Sequence, residues 1–442
     1  MILELMQHSY LSRCANEMVL KLGHFRAGIA PGGADLLSMP GIEEFDAADF
    51  AAALARAQAI CSALARTEAP DATYFPRDAL TAHLQSLLER YFTDHRLIQT
   101  RTAAGALAGA HPVSDVSLAA GVADQAPDRL FGKMSQSDIG WLSCLLAKAF
   151  HSVKTPLAFP DQPAPPHFMP IDARLYLIGD WGSGVARACK IADRIRAMIA
   201  SEHVREQHVV HLGDVYYSGR PEEYDEHFLA HWPVKPGTES RVGSWALNAN
   251  HDMFSGGQGY FEHLLKDARF KRQAGSSHFS LENGHWQVLG LDSAFDNENL
   301  AGGQFEWVER RHRSRPHQKL ALLTHHQPFS AFEGDCLALQ RLYTRNTVTA
   351  WFWGHEHRFA AYKPRTGLRY GRLVGHGGVP VWARSSAAPV PDSVSYLSTR
   401  GFRSGIERFA LFGFAVLDFD GPQIHARYID EYGEVELDEV LA

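Results

Sequence analysis

The sequence predicts an α/β (α+β) protein in which a mainly helical N-terminal domain precedes a domain of two packed β-sheets with helices outside. Ala- and Leu-rich segments with helical spacing occupy the first ~150 residues. Beyond a proline-rich stretch, short β-rich runs each end in a polar cluster. At 442 residues, the chain is also too long for one ordinary core. We therefore expect two or three domains.

The N-terminal part contains three predicted helices. Residues 50–67 read FAAALARAQAICSALART, and Pro76 precedes a second segment of this character that runs from Arg77 to Phe92. A third helix is predicted to begin near Ser137, a suitable N-cap residue. Six prolines then lie between Thr155 and Pro170, and a stretch so poor in backbone donors favours an extended linker. We predict a mainly helical domain at 1–153, a Pro-rich linker at 154–170 and a second domain at 171–442.

The second domain begins with a predicted β-α-β unit. The strand Leu175–Ile178 leads into Asp180, the strand His208–Leu212 leads into Asp214, and residues 185–200 between them have helical spacing. Ligand sites in open α/β sheets gather at such strand ends. Further predicted strands are Ser244–Leu247, His278–Leu281, Trp286–Leu291, Leu320–Thr324, Val348–Trp353, Leu373–Val374, Phe412–Phe419 and Ile424–Tyr428.

Composition narrows the class of protein. Lys plus Arg number 43 against 50 Asp plus Glu, and the resulting charge of −7 gives no long-range attraction for nucleic acid. The apolar start is interrupted at Glu4, and no run of about 18 apolar residues follows. The five cysteines are odd in number and contain no C-x-x-C pair, which is typical of reduced thiols. We expect a cytoplasmic protein with neither nucleic-acid nor membrane partners, in which the N-terminal helices offer a surface for self-association or another protein.

Five polar clusters follow predicted strands in the second domain. They are GDWG (179–182), GDVYYSG (213–219), NANHD (248–252), HHQP (325–328) and GHEH (354–357). Each alone is more often a turn or a surface residue, but independent turns would not all supply metal donors. Carboxylate, amide and imidazole donors suit Fe, Mn and Zn ions, and no thiolate is among them. The set predicts a metal site.

In this order, the clusters resemble the calcineurin-like metallophosphoesterase superfamily, and the first two resemble its purple acid phosphatase branch. The resemblance covers about residues 173 to 430. It implies a four-layer β-sandwich flanked by helices and a binuclear metal centre. By resemblance, Asp180 and His357 would bind the first metal and Asp214 would bridge both. Asn250, His326 and His355 would complete the second site.

The sequence departs from the wider superfamily at two positions. Gly182 stands where most members have a histidine ligand; purple acid phosphatases share this glycine and use a tyrosine three residues after the bridging aspartate, which here is Tyr217. Its phenolate would favour Fe(III) at the first site, with divalent Fe, Mn or Zn at the second. The alternative is that Tyr217, which follows Tyr216, is a packing aromatic. Ala249 replaces the glycine that precedes the asparagine in the family.

Two histidine pairs need an assignment within their motifs. In HHQP the ligand could be His325 or His326; the His-x-Pro spacing of the family selects His326 and leaves His325 beside the metal or the substrate. In GHEH, alternation would send His355 and His357 to the same side if the backbone is extended.

The chemistry expected of such a centre is hydrolysis of phosphate esters. Two cations that share Asp214 would lower the pKa of a bridging water, and the resulting hydroxide would attack phosphorus without a protein nucleophile. The resemblance implies that His251 is the general acid and that Asp252 orients it. Phosphomonoesters are favoured, and the alternative is a phosphodiesterase for cyclic nucleotides or glycerophosphodiesters. A non-catalytic scaffold is a third hypothesis, but it should have lost ligands that are all present here.

Overall fold

The computed structural model describes residues 157–184, 186–296, 298–379, 381, 389–401 and 410–442. The predicted helical domain at 1–153 and the first three residues of the predicted linker lie outside this part of the chain. Nearly all described residues belong to one compact unit formed by residues 156–379, 385–399 and 411–442. This unit carries all five polar clusters.

Two mixed sheets form the centre of the unit. The strands are β1 (His167–Phe168), β2 (Arg174–Ile178), β3 (Gln207–His211), β4 (Val242–Ala246), β5 (Phe279–Glu282), β6 (Trp286–Gly290), β7 (Lys319–Thr324), β8 (Val348–Trp353), β9 (Phe359–Tyr362), β10 (Leu368–Val374), β11 (Val394–Leu397), β12 (Gly413–Asp420), β13 (Gln423–Asp430) and β14 (Val435–Leu441). One described sheet has the order β1-β5-β6-β7-β8-β10-β9-β11, and the other has the order β14-β13-β12-β2-β3-β4. Strands β2, β3 and β4 run parallel in one sheet, as do β6, β7, β8 and β10 in the other.

Side-chain alternation along the strands builds the core between the sheets. Leu175 and Leu177 of β2 point into the same apolar cluster as Ala321 and Leu323 of β7. Their neighbours Tyr176 and Ile178 point to the opposite face of the sheet and join a second cluster. Because successive strand residues face opposite sides, each sheet is buried on both faces.

Helices cover the two outer faces. They are α1 (Ala186–Ser201), α2 (Pro221–Glu223), α3 (Asn250–Phe254), α4 (Gln304–Ser314) and α5 (Leu337–Arg345). In α1 the buried residues Ala188, Ile191, Ala192 and Ile195 recur at helical spacing and pack on the sheet that contains β2. Residues of α4 and α5 pack on the other sheet. Within the described residues, no helix has the length and apolar character needed to cross a membrane.

The architecture confirms the predicted fold class for the second domain, because two mixed sheets lie between layers of helices. The helix predicted at 185–200 is observed at Ala186–Ser201. Strands β1, β9, β11 and β14 were not predicted, and all of them except β9 lie at sheet edges. The sequence of β14, VELDEVL, is largely charged. An edge strand of this kind lacks the apolar pattern by which the other strands were predicted.

The proline-rich segment has contacts with the eight-stranded sheet. The N–H of Ala164 donates to the carbonyl of His278 at 2.9 Å, and Ala164 is buried. Phe159 stacks on the His278 ring with centroids 5.6 Å apart. Strand β1 pairs with β5 in parallel. Residues within the range predicted as a linker thus pack on the domain that follows.

Candidate metal centre

The five polar clusters converge at the carboxyl ends of the parallel strands. Asp180 follows β2, Asp214 follows β3, and Asn250 begins α3 just after β4. In the other sheet, one histidine pair follows β7 and the second pair follows β8. Parallel strands end at the same edge, so side chains distant in sequence become neighbours.

The first donor group consists of Asp180, Asp214 and His357, whose ligand atoms lie within 4.8 Å of one another. His357 Nε2 is 3.4 Å from Asp180 Oδ1. Burial, together with the neighbouring Asp214 carboxylate, raises the pKa of Asp180 well above its ordinary range. A cation would stabilise two ionised carboxylates buried side by side, so this group fits a metal ion.

The second donor group consists of His325, His326 and His355, whose ligand atoms also lie within 4.8 Å of one another. His325 Nε2 lies 2.8 Å from Asn250 Oδ1 and 3.4 Å from Asp214 Oδ1, so Asp214 lies between the two groups. Burial lowers the pKa of His325 to about 3, which keeps its imidazole neutral at physiological pH. Neutral imidazole and amide oxygen are donors for divalent metals.

Hydrogen bonds from outside the centre fix the orientation of the imidazole rings. The Nδ1–H of His325 donates to the carbonyl of Leu212 at 3.0 Å, which directs Nε2 toward the centre. The Nδ1 of His326 lies 3.0 Å from the hydroxyl of Ser293. Sequence analysis did not single out Ser293. A signal existed, since Asp292 and Ser293 follow the predicted strand 286–291 as the other polar clusters follow theirs.

The hydroxyl group beside the two carboxylates belongs to Tyr216, whereas the ligand proposed from the sequence is its neighbour Tyr217, and that assignment stays a prediction. The Tyr216 hydroxyl donates to Asp214 Oδ2 at 2.8 Å, and it lies 3.3 Å from Asp180 Oδ1 and 2.8 Å from His357 Nε2. Tyr217 contributes backbone groups: its N–H donates to Glu223 Oε1 at 2.8 Å, and its carbonyl accepts from His251. The buried Glu223 carboxylate thus fixes the turn in a register that places Tyr216 at the donor group. Burial and both carboxylates raise the pKa of Tyr216 well above its ordinary value, so a phenolate there would need a cation.

Asp252 does not have the predicted contact with the ring of His251. Its carboxylate accepts from the N–H groups of Ala249 at 3.0 Å and Val215 at 3.3 Å, and from the Tyr224 hydroxyl at 2.9 Å. It therefore caps α3 and ties two loops together. The Nδ1–H of His251 donates instead to the carbonyl of Tyr217 at 2.6 Å, so a backbone group orients the proposed acid.

The two departures from the superfamily pattern have local explanations. A Cβ atom at Gly182 would lie 2.8 Å from the Cα of Val215, so the backbone of the next cluster excludes any side chain there. Ala249 has φ −140° and ψ 169°, which is extended backbone that any residue adopts. The first departure leaves no space for a histidine, and the second causes no strain.

Four of the proposed ligands have left-handed backbone conformations. The φ angles are 55° for Asp180, 75° for Asp214, 74° for His355 and 50° for His357. His355 and His357 are therefore not on one face of an extended segment, as the alternation argument expected. His355 joins the histidine group, and His357 joins the carboxylates. Non-glycine residues in this region are strained, typically by about 1–3 kcal/mol each.

The structure brings together all of the metal ligands proposed from the sequence except Tyr217, and it adds Tyr216 and His325. Within the described residues, the gathered donors are Asp180, Asp214, Tyr216, Asn250, His325, His326, His355 and His357. Two adjoining groups of nitrogen and oxygen donors that meet at Asp214 fit two metal ions.

Comparisons with known proteins agree with this geometry at the level of the family. Residues 173–359 match the family described as calcineurin-like phosphoesterase. The search of curated proteins gives no match.

Three solved structures are similar to parts of the chain. GAP50, described as the anchor in the inner membrane complex of Plasmodium, is 12% identical, with 61% of this chain and 88% of that chain covered and a TM-score of 0.44. A predicted phosphoesterase from Streptococcus pneumoniae is 8% identical, with coverages of 61% and 97% and a TM-score of 0.27. A single mutant of Vps29 from Entamoeba histolytica is 13% identical, with coverages of 61% and 98% and a TM-score of 0.28. Because all three TM-scores are below 0.5, they do not bear on activity or substrate.

The match to the family extends from the strand before Asp180 to the residues after His357, and it therefore spans every donor of the candidate centre. Members of this family are typically metal-dependent, and the two donor groups are of the kind that such a protein requires. The match supports the assignment of residues 173–359 to the calcineurin-like phosphoesterase superfamily.

Proposed function

We propose that this protein hydrolyses phosphate esters at a binuclear metal centre and prefers monoesters to diesters. The observation that carries the proposal is the pair of buried donor groups, one of carboxylates with His357 and one of three histidines, which meet at Asp214. Bound ions would polarise the phosphoryl group and activate the attacking water.

The preference for monoesters rests on the first donor group. Gly182 leaves no space for the histidine that most superfamily members have, and the Tyr216 hydroxyl lies against both carboxylates. The resemblance of the sequence to purple acid phosphatases predicts a tyrosine donor at the first metal, and the Tyr216 hydroxyl would supply it. It would favour Fe(III) in the first position and divalent Fe, Mn or Zn in the second.

His251 is the proposed proton donor to the leaving group. Its Nδ1–H is held by the carbonyl of Tyr217, which directs Nε2 toward the centre, 3.9 Å from Asp214 Oδ2. The side chain is buried among the strand ends rather than exposed to solvent. Nε2 is thus the nitrogen that could carry a proton to a departing oxygen.

The test measures metal content, the visible spectrum and the hydrolysis of nitrophenyl phosphate mono- and diesters on one freshly purified sample. We expect two metals per chain and faster cleavage of the monoester. His251→Asn should lower kcat by about 10²- to 10⁴-fold while metal content stays at the wild-type level. His263→Asn, a change of a half-buried histidine that pairs with Asp225 outside the centre, is the matched control.

Other outcomes distinguish the competing functions. A two-metal protein that cleaves the diester faster would favour a phosphodiesterase for cyclic nucleotides or glycerophosphodiesters. A protein with neither metal nor turnover would overturn both enzymatic proposals and favour a non-catalytic scaffold.

A further inference from the structure

A third group of potential metal ligands lies away from the candidate centre. It consists of His167, Glu206 and His208, whose ligand atoms are within 4.8 Å of one another. Glu206 and His208 lie at the amino end of β3, whereas Asp214 follows its carboxyl end. His167 belongs to β1 of the eight-stranded sheet and His208 to β3 of the six-stranded sheet. The group therefore connects the two sheets at the end opposite the candidate centre.

The three side chains converge on one carboxylate oxygen. Glu206 Oε1 lies 2.6 Å from His167 Nε2 and 3.0 Å from His208 Nε2. The side chain of His208 is fully buried, while those of His167 and Glu206 are 23% and 32% exposed. Two imidazole nitrogens and a carboxylate are a common Zn²⁺ ligand set, and the open side leaves room for water as a fourth ligand.

The protonation states suit a cation. Hydrogen bonding from His208, opposed in part by burial and assisted by His167, lowers the pKa of Glu206 to about 2. Burial lowers the pKa of His208, although Glu206 acts in the opposite direction. At neutral pH the carboxylate is therefore ionised and the His208 ring is neutral.

Two neighbours act against a bound cation and limit its affinity. The indole N–H of Trp245 donates to His208 Nδ1 at 3.3 Å, so a neutral His208 ring carries its proton on Nε2, which lies 3.0 Å from Glu206 Oε1. A metal at Nε2 would require this proton to move to Nδ1, and the hydrogen bond from Trp245 would then be lost. Arg272 places a guanidinium nitrogen 3.5 Å from His167 Nε2, although its other terminal nitrogen donates to the carbonyl of Glu239.

We propose that His167, Glu206 and His208 bind one divalent ion of the Zn²⁺ class, which cross-links the two sheets through their side chains. The ion has a structural role, because the group lies at the opposite end of β3 from the candidate centre. The proposal is independent of the proposed function, since none of these residues belongs to either donor group at the strand ends.

The test counts Zn²⁺ bound to the full-length protein by equilibrium dialysis and elemental analysis at pH 8. His167→Ala and Glu206→Gln should each bind one Zn²⁺ fewer per chain than the wild type. His203→Ala, which removes an exposed histidine close to the same strand, should bind as many as the wild type. Added Zn²⁺ should also raise the Tm of the wild type more than that of His167→Ala. Because Glu206→Gln keeps the shape of the side chain, it gives a second count if His167→Ala folds poorly.

The count separates this proposal from the phosphoesterase proposal. Equal Zn²⁺ stoichiometry in the wild type, His167→Ala and Glu206→Gln would overturn the third site, whatever the hydrolytic activity. A deficit of one Zn²⁺ in both variants would support the site even if no phosphate ester is hydrolysed. If the variants lose a metal and keep wild-type hydrolysis, the ion is structural as proposed.

Discussion

At the scale of single residues, the first donor group depends on the hydroxyl of Tyr216. This hydroxyl contacts Asp180, Asp214 and His357, whereas the backbone at Gly182 leaves no room for a side chain there. Without a cation its pKa is raised by burial and by the two carboxylates. A metal in this group would reverse that effect and stabilise the phenolate.

The two adjacent tyrosines give a matched pair of variants. Tyr216→Phe should abolish a visible tyrosine-to-Fe(III) band and lower metal content, because it removes the donor from the centre. Tyr217→Phe should keep the band, since Tyr217 takes part in the turn through its backbone. The visible spectrum of the iron-loaded protein checks both. A band that survives Tyr216→Phe and disappears in Tyr217→Phe would restore the assignment made from the sequence.

Residue types were easier to predict than residue register. Asp180 and Asp214 could be proposed because each is the single carboxylate in its cluster after a strand, and Asn250 was assigned by resemblance to the superfamily. Tyr216 and Tyr217 are chemically equivalent, as are His325 and His326, and only the path of the turn decides between them. The path of the tyrosine turn depends on Glu223, whose carboxylate accepts a hydrogen bond from the N–H of Tyr217, six positions earlier in the chain. No local sequence pattern predicts such a hydrogen bond.

At the scale of elements, an ion-pair network joins three neighbouring strands of the six-stranded sheet. Asp418 of β12 contacts Arg174 of β2, and it accepts from Arg427 of β13 at 2.8 Å. Burial raises the pKa of Asp418, but the two arginines outweigh it and hold this pKa below its ordinary value. The folded state thus favours the ionised carboxylate more than the unfolded chain does.

The sign of the pH dependence follows from that depressed pKa. The stabilisation from Asp418 is complete above its unfolded pKa of about 3.9 and is lost as pH falls through the lower folded value. Asp418→Asn should cost about 1–3 kcal/mol at pH 7, and this difference from the wild type should shrink as the pH is lowered below 4. Urea unfolding at pH 7 and pH 3 measures it, with the exposed Asp420→Asn on the same strand as the control. A difference that does not change with pH would contradict the ionic explanation.

Strand periodicity made most of the buried strands predictable. Val348–Trp353 was predicted with the observed bounds, and most other buried strands shifted by one or two residues. Strand β9, by contrast, is only four residues long and begins two residues after GHEH, so it was not predicted as a strand separate from that motif. The helices α4 and α5 were not predicted from the sequence. The sequence of α4 is rich in arginine and glutamate on its exposed side, which leaves few apolar residues at helical spacing.

At the scale of the whole molecule, the buried charges of the centre link metal binding to stability. Asp180 and Asp214 are almost completely buried next to each other, and burial together with Asp214 disfavours the ionised form of Asp180 when no cation is present. Chelation should therefore lower Tm and abolish hydrolysis, and added Mn²⁺ or Zn²⁺ should restore both. A metal at 100 times its Kd contributes about 2.7 kcal/mol. Calorimetry with and without chelator checks this, and an unchanged Tm would show that the folded centre does not depend on its ions.

The N-terminal border of the compact unit can be tested by truncation. A chain of residues 157–442 should fold and keep its hydrolytic activity, because it retains Phe159, Ala164 and β1. A chain of residues 171–442 should be less stable by about 3 kcal/mol, since it loses buried side chains and backbone hydrogen bonds to the sheet. Urea denaturation compares the two chains. Equal free energies of unfolding would mean that residues 157–170 do not stabilise the fold.

The left-handed backbone conformations of four residues, Asp180, Asp214, His355 and His357, lower the stability of the fold, while their side chains are the proposed metal ligands. Glycine at any of these positions would relieve a strained conformation and remove a metal donor in the same step. A laboratory selection that rewards only heat resistance in metal-free protein would therefore drift toward glycine at the centre and produce robust but inactive molecules. The same selection carried out with metal present should keep all four side chains, because metal binding then stabilises the folded protein by more than the backbone strain destabilises it.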